Sequence, residues 1–174
     1  MSSDAQEVFN FKKFLSKVSP EAKRTCVVAL ENVQNPHNVG AILRVCANFA
    51  ADGLLLQEPQ LAVSGAVYRT AEGGAECVQI LETGELLKAL EEFKKQGFKI
   101  YGTTSHAGKP LEKNQFSEKC VILFGSEAEG LSPALLKCCD VLLGIPQSGY
   151  VESLNVSCAA SVVLYSHFIQ FSKC

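Results

Sequence analysis

The feature that most constrains this chain is the character of its apolar segments. CVVAL (26–30), GLLL (53–56), FKIYGTT (98–104), CVILFG (120–125) and VLLGIP (141–146) are largely continuous apolar runs. A strand with one wet face alternates apolar and polar residues, whereas a strand covered on both faces does not. Between the runs lie segments of helical spacing. Val39, Ile42, Leu43, Cys46 and Phe49 mark one helix face, and ELLKALEEFKKQ is amphipathic. Ser132-Pro133 has the form of an N-cap followed by proline at the first helical position, which starts a short helix running through Lys137. A long apolar helix from Asn155 to Phe171 follows the last strand. The alternation predicts an α/β fold, a mostly parallel sheet with helices on both faces.

At the amino end, Val8, Phe11, Phe14, Leu15 and Val18 predict a helix over 4–18, ended by Pro20. The chain thus divides into an N-terminal helical extension, 1–24, and a single α/β domain, 25–174, which is large enough for a substantial core. Residues 77–80 read as a short strand, and the small, glycine-rich segment 61–76 receives no assignment.

In open parallel sheets, ligands bind beyond the carboxyl ends of the strands. Three polar loops follow strand ends here: ENVQNPHN (31–38), GSEAEG (125–130) and PQSGYVESLN (146–155). The first holds three asparagines, and Arg44 follows soon after. Ser153 or Asn155 is placed to cap the last helix. These loops are the predicted site.

Composition removes several alternatives. The net charge of −2 excludes coating of nucleic acid by charge alone, although Lys12, Lys13, Lys17, Lys23 and Arg24 form a local basic stretch. That stretch reads as a solvated helix face or as a phosphate-facing edge. No apolar stretch reaches membrane-spanning length, and the amino terminus has no signal-peptide core, so a soluble, cytoplasmic protein with no membrane partner is expected. The eight cysteines are scattered, with no C-x-x-C and no histidine at zinc-ligand spacing. They are expected to be buried hydrophobes in a reducing compartment, with no metal. His37, His106 and His167 have no evident partners in the sequence, and His167 reads as structural. G-x-G-x-x-G and G-x-S-x-G are absent. The loop 125–130 has the glycine spacing of a phosphate loop but lacks its lysine, and its two glutamates would repel phosphate.

The three loops, in this order, resemble the SpoU family of RNA 2′-O-ribose methyltransferases in the SPOUT superfamily, and the TrmH-like branch in particular. The resembling segments are Asn38 through Arg44 in NPHNVGAILR, then Gly125, Glu127 and Gly130 in LFGSEAEGL, and IPQSGYVESLNVS from Ile145 to Ser157. The resemblance covers residues 25–170 and departs from the family pattern at Gln147, Ser126 and Ala128, positions that bear on loop shape and cofactor affinity. It implies a sheet whose C-terminal segment forms a trefoil knot, a homodimer, and S-adenosylmethionine as cofactor. Asn38, Arg44, Glu127 and Asn155 are the implied catalytic residues. The implied cofactor contacts are Thr103, Gly125, Glu127, Gly130, Ile145, Pro146, Gln147, Ser153, Leu154 and Asn155. The additional N-terminal RNA-binding domain of some relatives is not expected, so RNA is expected to meet the catalytic domain or the basic stretch, through Lys12, Lys13, Lys17, Arg24 and Arg44.

The implied reaction is attack of a ribose 2′-oxygen of tRNA or rRNA on an activated methyl group. A hydroxyl is a poor nucleophile until its proton leaves, so positioning and proton removal must supply the acceleration. A guanidinium has no acceptor to offer, so Arg44 suits a phosphate clamp better than a base, although family proposals give it a proton-removal role. A non-catalytic RNA-binding module of the same fold, and methylation of a base position, stand as alternatives. A serine hydrolase is remote without a nucleophile elbow.

Overall fold

In the computed structural model, residues 9–18, 21, 24–58, 64–106 and 108–172 are described. The elements in chain order are β1 (Phe9–Asn10), α1 (Phe11–Lys17), β2 (Thr25–Leu30), α2 (Pro36–Asn48), β3 (Gly53–Leu56), α3 (Gly65–Ala71) and α4 (Gly74–Cys77). There follow β4 (Gln79–Glu82), α5 (Leu86–Lys95), β5 (Lys99–Thr104), β6 (Lys109–Pro110), β7 (Lys119–Phe124), α6 (Pro133–Cys138), β8 (Val141–Gly144) and α7 (Val156–Ser172). The strands form one eight-stranded sheet in the order β1-β4-β3-β2-β7-β5-β8-β6, with every pairing parallel.

The continuous apolar runs have the predicted cause. β2 and β7, in register from Thr25↔Lys119 to Leu30↔Phe124, are the central pair. Successive side chains alternate between two cores. Cys26, Val28, Leu30, Cys120, Ile122 and Phe124 join one core with α2, α3 and α7. Val27, Ala29, Val121 and Leu123 join the other with α1, α5 and α6. Burial on both faces leaves no polar residue in the interior of either strand, only Thr25 and Lys119 at their starts. The last helix is pinned by Gln170, whose side chain both accepts from the Phe116 amide (2.7 Å) and donates to the Phe116 carbonyl (2.8 Å).

Two expectations change, and two stretches without an assignment gain elements. The N-terminal helix begins at Phe11, because Phe9–Asn10 pairs with Leu81–Glu82 as an edge strand and Asn10 Oδ1 caps the helix through Lys12 N at 2.9 Å. Val8 and Pro20 lie outside the described residues. The strand expected at 77–80 runs from Gln79 to Glu82, since pairing with β3 sets its register and Cys77 closes α4. The unassigned middle holds α3 and α4, joined through Glu72 (φ 45°) and Gly73 (φ 83°), both left-handed. Residues 61–63 of that segment lie outside the description. The short β6 and the 3-10 turn Leu111–Lys113 carry no apolar run that would announce them.

Candidate active site

The sheet order reverses between β2 and β7. From β2 the chain builds outward through β3 and β4, then crosses to β5 on the far side of β7. Loops at such a switch point diverge and leave a crevice. After β2, Asn35 caps α2 by accepting from His37 N at 2.9 Å, with Pro36 at the first turn. Asn38 thereby faces the loop that follows β7.

That loop is tight. Gly130 N donates to Ser126 O (2.9 Å), Glu129 N to Ser126 Oγ (3.3 Å), and Gly130 takes φ 67°. A Cβ on Gly125 would collide with the Gly130 carbonyl, so only glycine allows the loop to fold back on its own start. Glu31 Oε2 accepts from Ser132 N at 2.7 Å and ties the end of β2 to the end of the loop.

Three predicted catalytic residues meet at this rim. Asn38 Nδ2 donates to Glu127 Oε1, and Asn155 Nδ2 donates to Asn38 Oδ1 at 3.2 Å. Asn155 Oδ1 accepts from Ser157 N (2.9 Å) and from Ser157 Oγ (2.6 Å). Asn155 therefore caps α7 and extends the network at once. The amide of Asn38, held as acceptor by one partner and donor to the other, has one orientation that satisfies both.

Behind the rim is a cleft of about 310 Å³. Thr103, Gly125, Glu127 and Gly130 line one part, and Ile145, Gln147, Ser153 and Leu154 another. Pro146 and Asn155 lie outside the lining. Phe124, Leu131, Leu143 and Val156 give the cleft an apolar floor. Its polar wall carries Glu127, Glu129 and Glu152 and, among the described residues, no lysine or arginine. Thr103 Oγ1 donates to Leu123 O at 2.9 Å, which locks β5 to β7 beside the opening.

Sequence reading missed the wall formed by Thr104, Ser105 and His106, and also Glu152. The signal was present as a polar triplet directly after FKIYGT, a fourth strand-end loop. His37 does have a neighbour: its Nδ1 lies 3.5 Å from Thr70 Oγ1.

Arg44 does not join the rim. It pairs with Glu72 at 3.0 Å, and both side chains are more than half exposed. Gly74 makes this arrangement possible, because a Cβ there would lie 2.9 Å from Arg44 Cα. Lys12, Lys13 and Lys17 are exposed on α1. Arg24 stacks over the Phe171 ring at 5.6 Å, at the amino end of β2. A strand of this length puts Arg24 roughly 20 Å from the cleft end of the sheet. Lys23 lies outside the described residues.

Fold and rim together define a SPOUT-type α/β protein with a cleft beyond the carboxyl ends of β5, β7 and β8. The chain belongs to the SpoU rRNA methylase family, which it matches over residues 25–165. It is 42% identical to the uncharacterized tRNA/rRNA methyltransferase YfiF of Escherichia coli O157:H7, over 84% of this chain and 43% of that protein. It is 32% identical to a putative TrmH family tRNA/rRNA methyltransferase of Staphylococcus epidermidis, over 91% and 64%. Among solved structures it is similar to the A. aeolicus TrmH/SpoU tRNA-modifying enzyme, with a TM-score of 0.78, 28% identity, and 93% and 84% of the two chains covered. An RNA 2′-O ribose methyltransferase superposes with a TM-score of 0.80 at 27% identity, covering 90% and 60%. The chain spans about half the length of several curated relatives.

Proposed function

We propose that this protein transfers a methyl group from S-adenosylmethionine to a ribose 2′-hydroxyl of tRNA or rRNA. The observation that carries this reading is the Asn155–Asn38–Glu127 chain, which joins two of the family's motif loops to the first turn of α2 over the cleft. The cleft fits the cofactor on three counts. Its volume lies within the range of small-ligand sites. Its apolar floor suits a nucleobase, and its three glutamates, with no lysine or arginine among the described lining residues, suit a ligand that is positive at its sulfonium and amine.

When bound, the sulfonium supplies a methyl group that is already activated. The remaining work falls to the chain. The Glu127 carboxylate is the acceptor at the rim toward which a ribose hydroxyl can direct its proton. Asn38 and Asn155 hold that carboxylate and limit its rotation. Arg44 clamps a backbone phosphate. Its pair with Glu72 is no obstacle, since an exposed ion pair contributes only about 0–1 kcal/mol and a phosphate can replace the carboxylate.

The wider assignments follow the same reading. The protein acts as a homodimer. The exposed Tyr150, Val151 and Leu154 beside the cleft, with Val162 and Tyr165 on α7, supply an apolar contact surface. The C-terminal segment is knotted, which the crossing order β7-β5-β8 followed by the return of α7 against α2 supports. The location is cytoplasmic, where the described cysteines, all free, stay reduced. Lys12, Lys13 and Lys17 add affinity for RNA as an exposed basic face.

The test is methyl transfer from labelled S-adenosylmethionine into unmodified total tRNA and, separately, rRNA, followed by digestion to nucleosides. A 2′-O-methylnucleoside from one pool is the expected result. A methylated base would reassign the acceptor atom, and absence of cofactor binding would support the non-catalytic module.

A further inference from the structure

At the amino ends of the central strands, opposite the cleft, the core contains a group that packing does not explain. Cys26 on β2 stands directly across from Cys120 on β7, with both side chains on the same face of the sheet. His167 of α7 lies over them. The two sulfurs and an imidazole nitrogen fall within 4.8 Å of one another, and all three residues have no solvent exposure. Phe116 and Phe171 hold the imidazole in place, at ring distances of 5.3 and 5.1 Å. Neither His167 nitrogen has a hydrogen-bond partner. Buried polar groups are normally partnered, and an imidazole left bare in an apolar core is destabilising.

We propose that Cys26, Cys120 and His167 form a buried binding site for a zinc-class divalent cation that fastens α7 to the central strands. Thiolate sulfur and neutral imidazole nitrogen are the ligands such ions take. Binding releases one proton from each thiol to solvent, and each sulfur then donates an electron pair. The imidazole donates a lone pair and keeps the proton on its other nitrogen. Two thiolates and a divalent ion sum to zero charge, so the filled site carries no net charge into a dry core. Zinc–sulfur bonds near 2.3 Å place tetrahedral sulfurs roughly 3.8 Å apart, so the cluster needs to contract by at most about 1 Å. Cys46 is fully buried on α2 near Cys26 but lies outside this set of mutually close ligand atoms. Asp52 accepts from Cys26 N at 2.7 Å and adds a carboxylate near His167.

Local spacing could not show this set. Its members stand at positions 26, 120 and 167, and only the pairing of β2 with β7 and the return of α7 bring them together. The inference is independent of the proposed methyl transfer, because no part of the cleft takes part.

The experiment uses the full chain, reduced, stripped with chelator and titrated anaerobically with Co²⁺ as a spectroscopic probe. We expect one equivalent to bind, with thiolate-to-cobalt charge-transfer absorption and a tetrahedral visible band. Zn²⁺ should displace both signals, and either ion should raise the melting temperature. Cys120→Ser and His167→Leu should lose the charge-transfer signal or weaken binding at least tenfold. Replacement of the exposed Cys77 and Cys158 by serine should leave it unchanged. Circular dichroism establishes that each variant is folded. The proposal fails if folded wild-type protein shows no cobalt signal, or if the signal survives in Cys120→Ser. It also fails if the reduced protein takes up only Cu(I), or if Cys26 and Cys120 are recovered as a disulfide that excludes the metal.

Discussion

The two ends of the β2–β7 pair make opposite use of polar side chains. At the carboxyl end, Asn38 in the first turn of α2 is half-buried, Glu127 and Asn155 in the loops are exposed, and each has a hydrogen-bond partner. At the amino end, the polar group is sealed among aromatic rings, and the His167 nitrogens make no hydrogen bond although the Cys26 and Cys120 sulfurs lie close by. The same two strands thus hold one site that is satisfied and open and another that is unsatisfied and closed. A satisfied network holds its geometry before a ligand arrives. A bare buried imidazole lowers stability until something supplies the missing interaction.

This contrast can be broken experimentally. The largest effect is expected at the open end. Glu127→Ala should lower methyl transfer by roughly 100- to 10,000-fold, the usual range for a group that receives a proton in the transition state. Folding should be unaffected, and single-turnover rates compared with circular dichroism would show both. Arg44→Ala should also lower activity by orders of magnitude while leaving S-adenosylmethionine binding intact by calorimetry. Loss of cofactor affinity would place Arg44 in the cleft after all. Gly125→Ala strikes the shape of the loop rather than its chemistry. With backbone in the way of a Cβ, destabilisation of about 1–3 kcal/mol is expected in urea unfolding, with a parallel loss of cofactor binding.

The closed end should respond in the opposite direction. In metal-free protein, His167→Leu removes two unsatisfied nitrogens and should leave stability unchanged or raise it by about 1–2 kcal/mol. A clear loss would show that the imidazole has a favourable interaction in the apo core. The smallest effect concerns reactivity. Burial pushes the Cys139 thiol up to about 12. Cys26 is held well above the usual thiol range by its neighbour Cys120 and by burial. At pH 8 both remain protonated, and the thiolate is the reactive form. Brief iodoacetamide treatment of native protein should therefore label the exposed Cys77 and Cys158 and spare Cys26, Cys120 and Cys139, as peptide mass mapping would show.

Much of this molecule was legible in one dimension. The apolar runs at 26–30, 53–56 and 120–125 announced buried parallel strands, because burial on both faces removes polar residues from the sequence itself. The Ser132-Pro133 start of α6 and the Asn155 cap of α7 were equally local, since capping is settled within a few residues. The polar loops pointed to the site for a similar reason: 125–130 and 146–155 line the cleft, 31–38 ends at its rim with Asn38, and parallel strands bring such ends to one side. The segment 61–76 resisted because α3 and α4 are short and small, and their helicity depends on packing against α2.

Arg44 shows where local reading stops. In the sequence it belongs to the same motif as Asn38, yet the two side chains part, one to Glu127 and the other to Glu72. Six residues along a helix turn a side chain well away from its starting face. The sequence by itself determined the strands, the caps and the loops that carry the chemistry, because periodicity and capping act over a few residues. Tertiary structure alone decided which loops touch, which way Arg44 points, and that Cys26, Cys120 and His167 share one pocket of the core. Those outcomes depend on strand order and on where α7 packs, and contacts between residues a hundred positions apart leave no trace in local spacing.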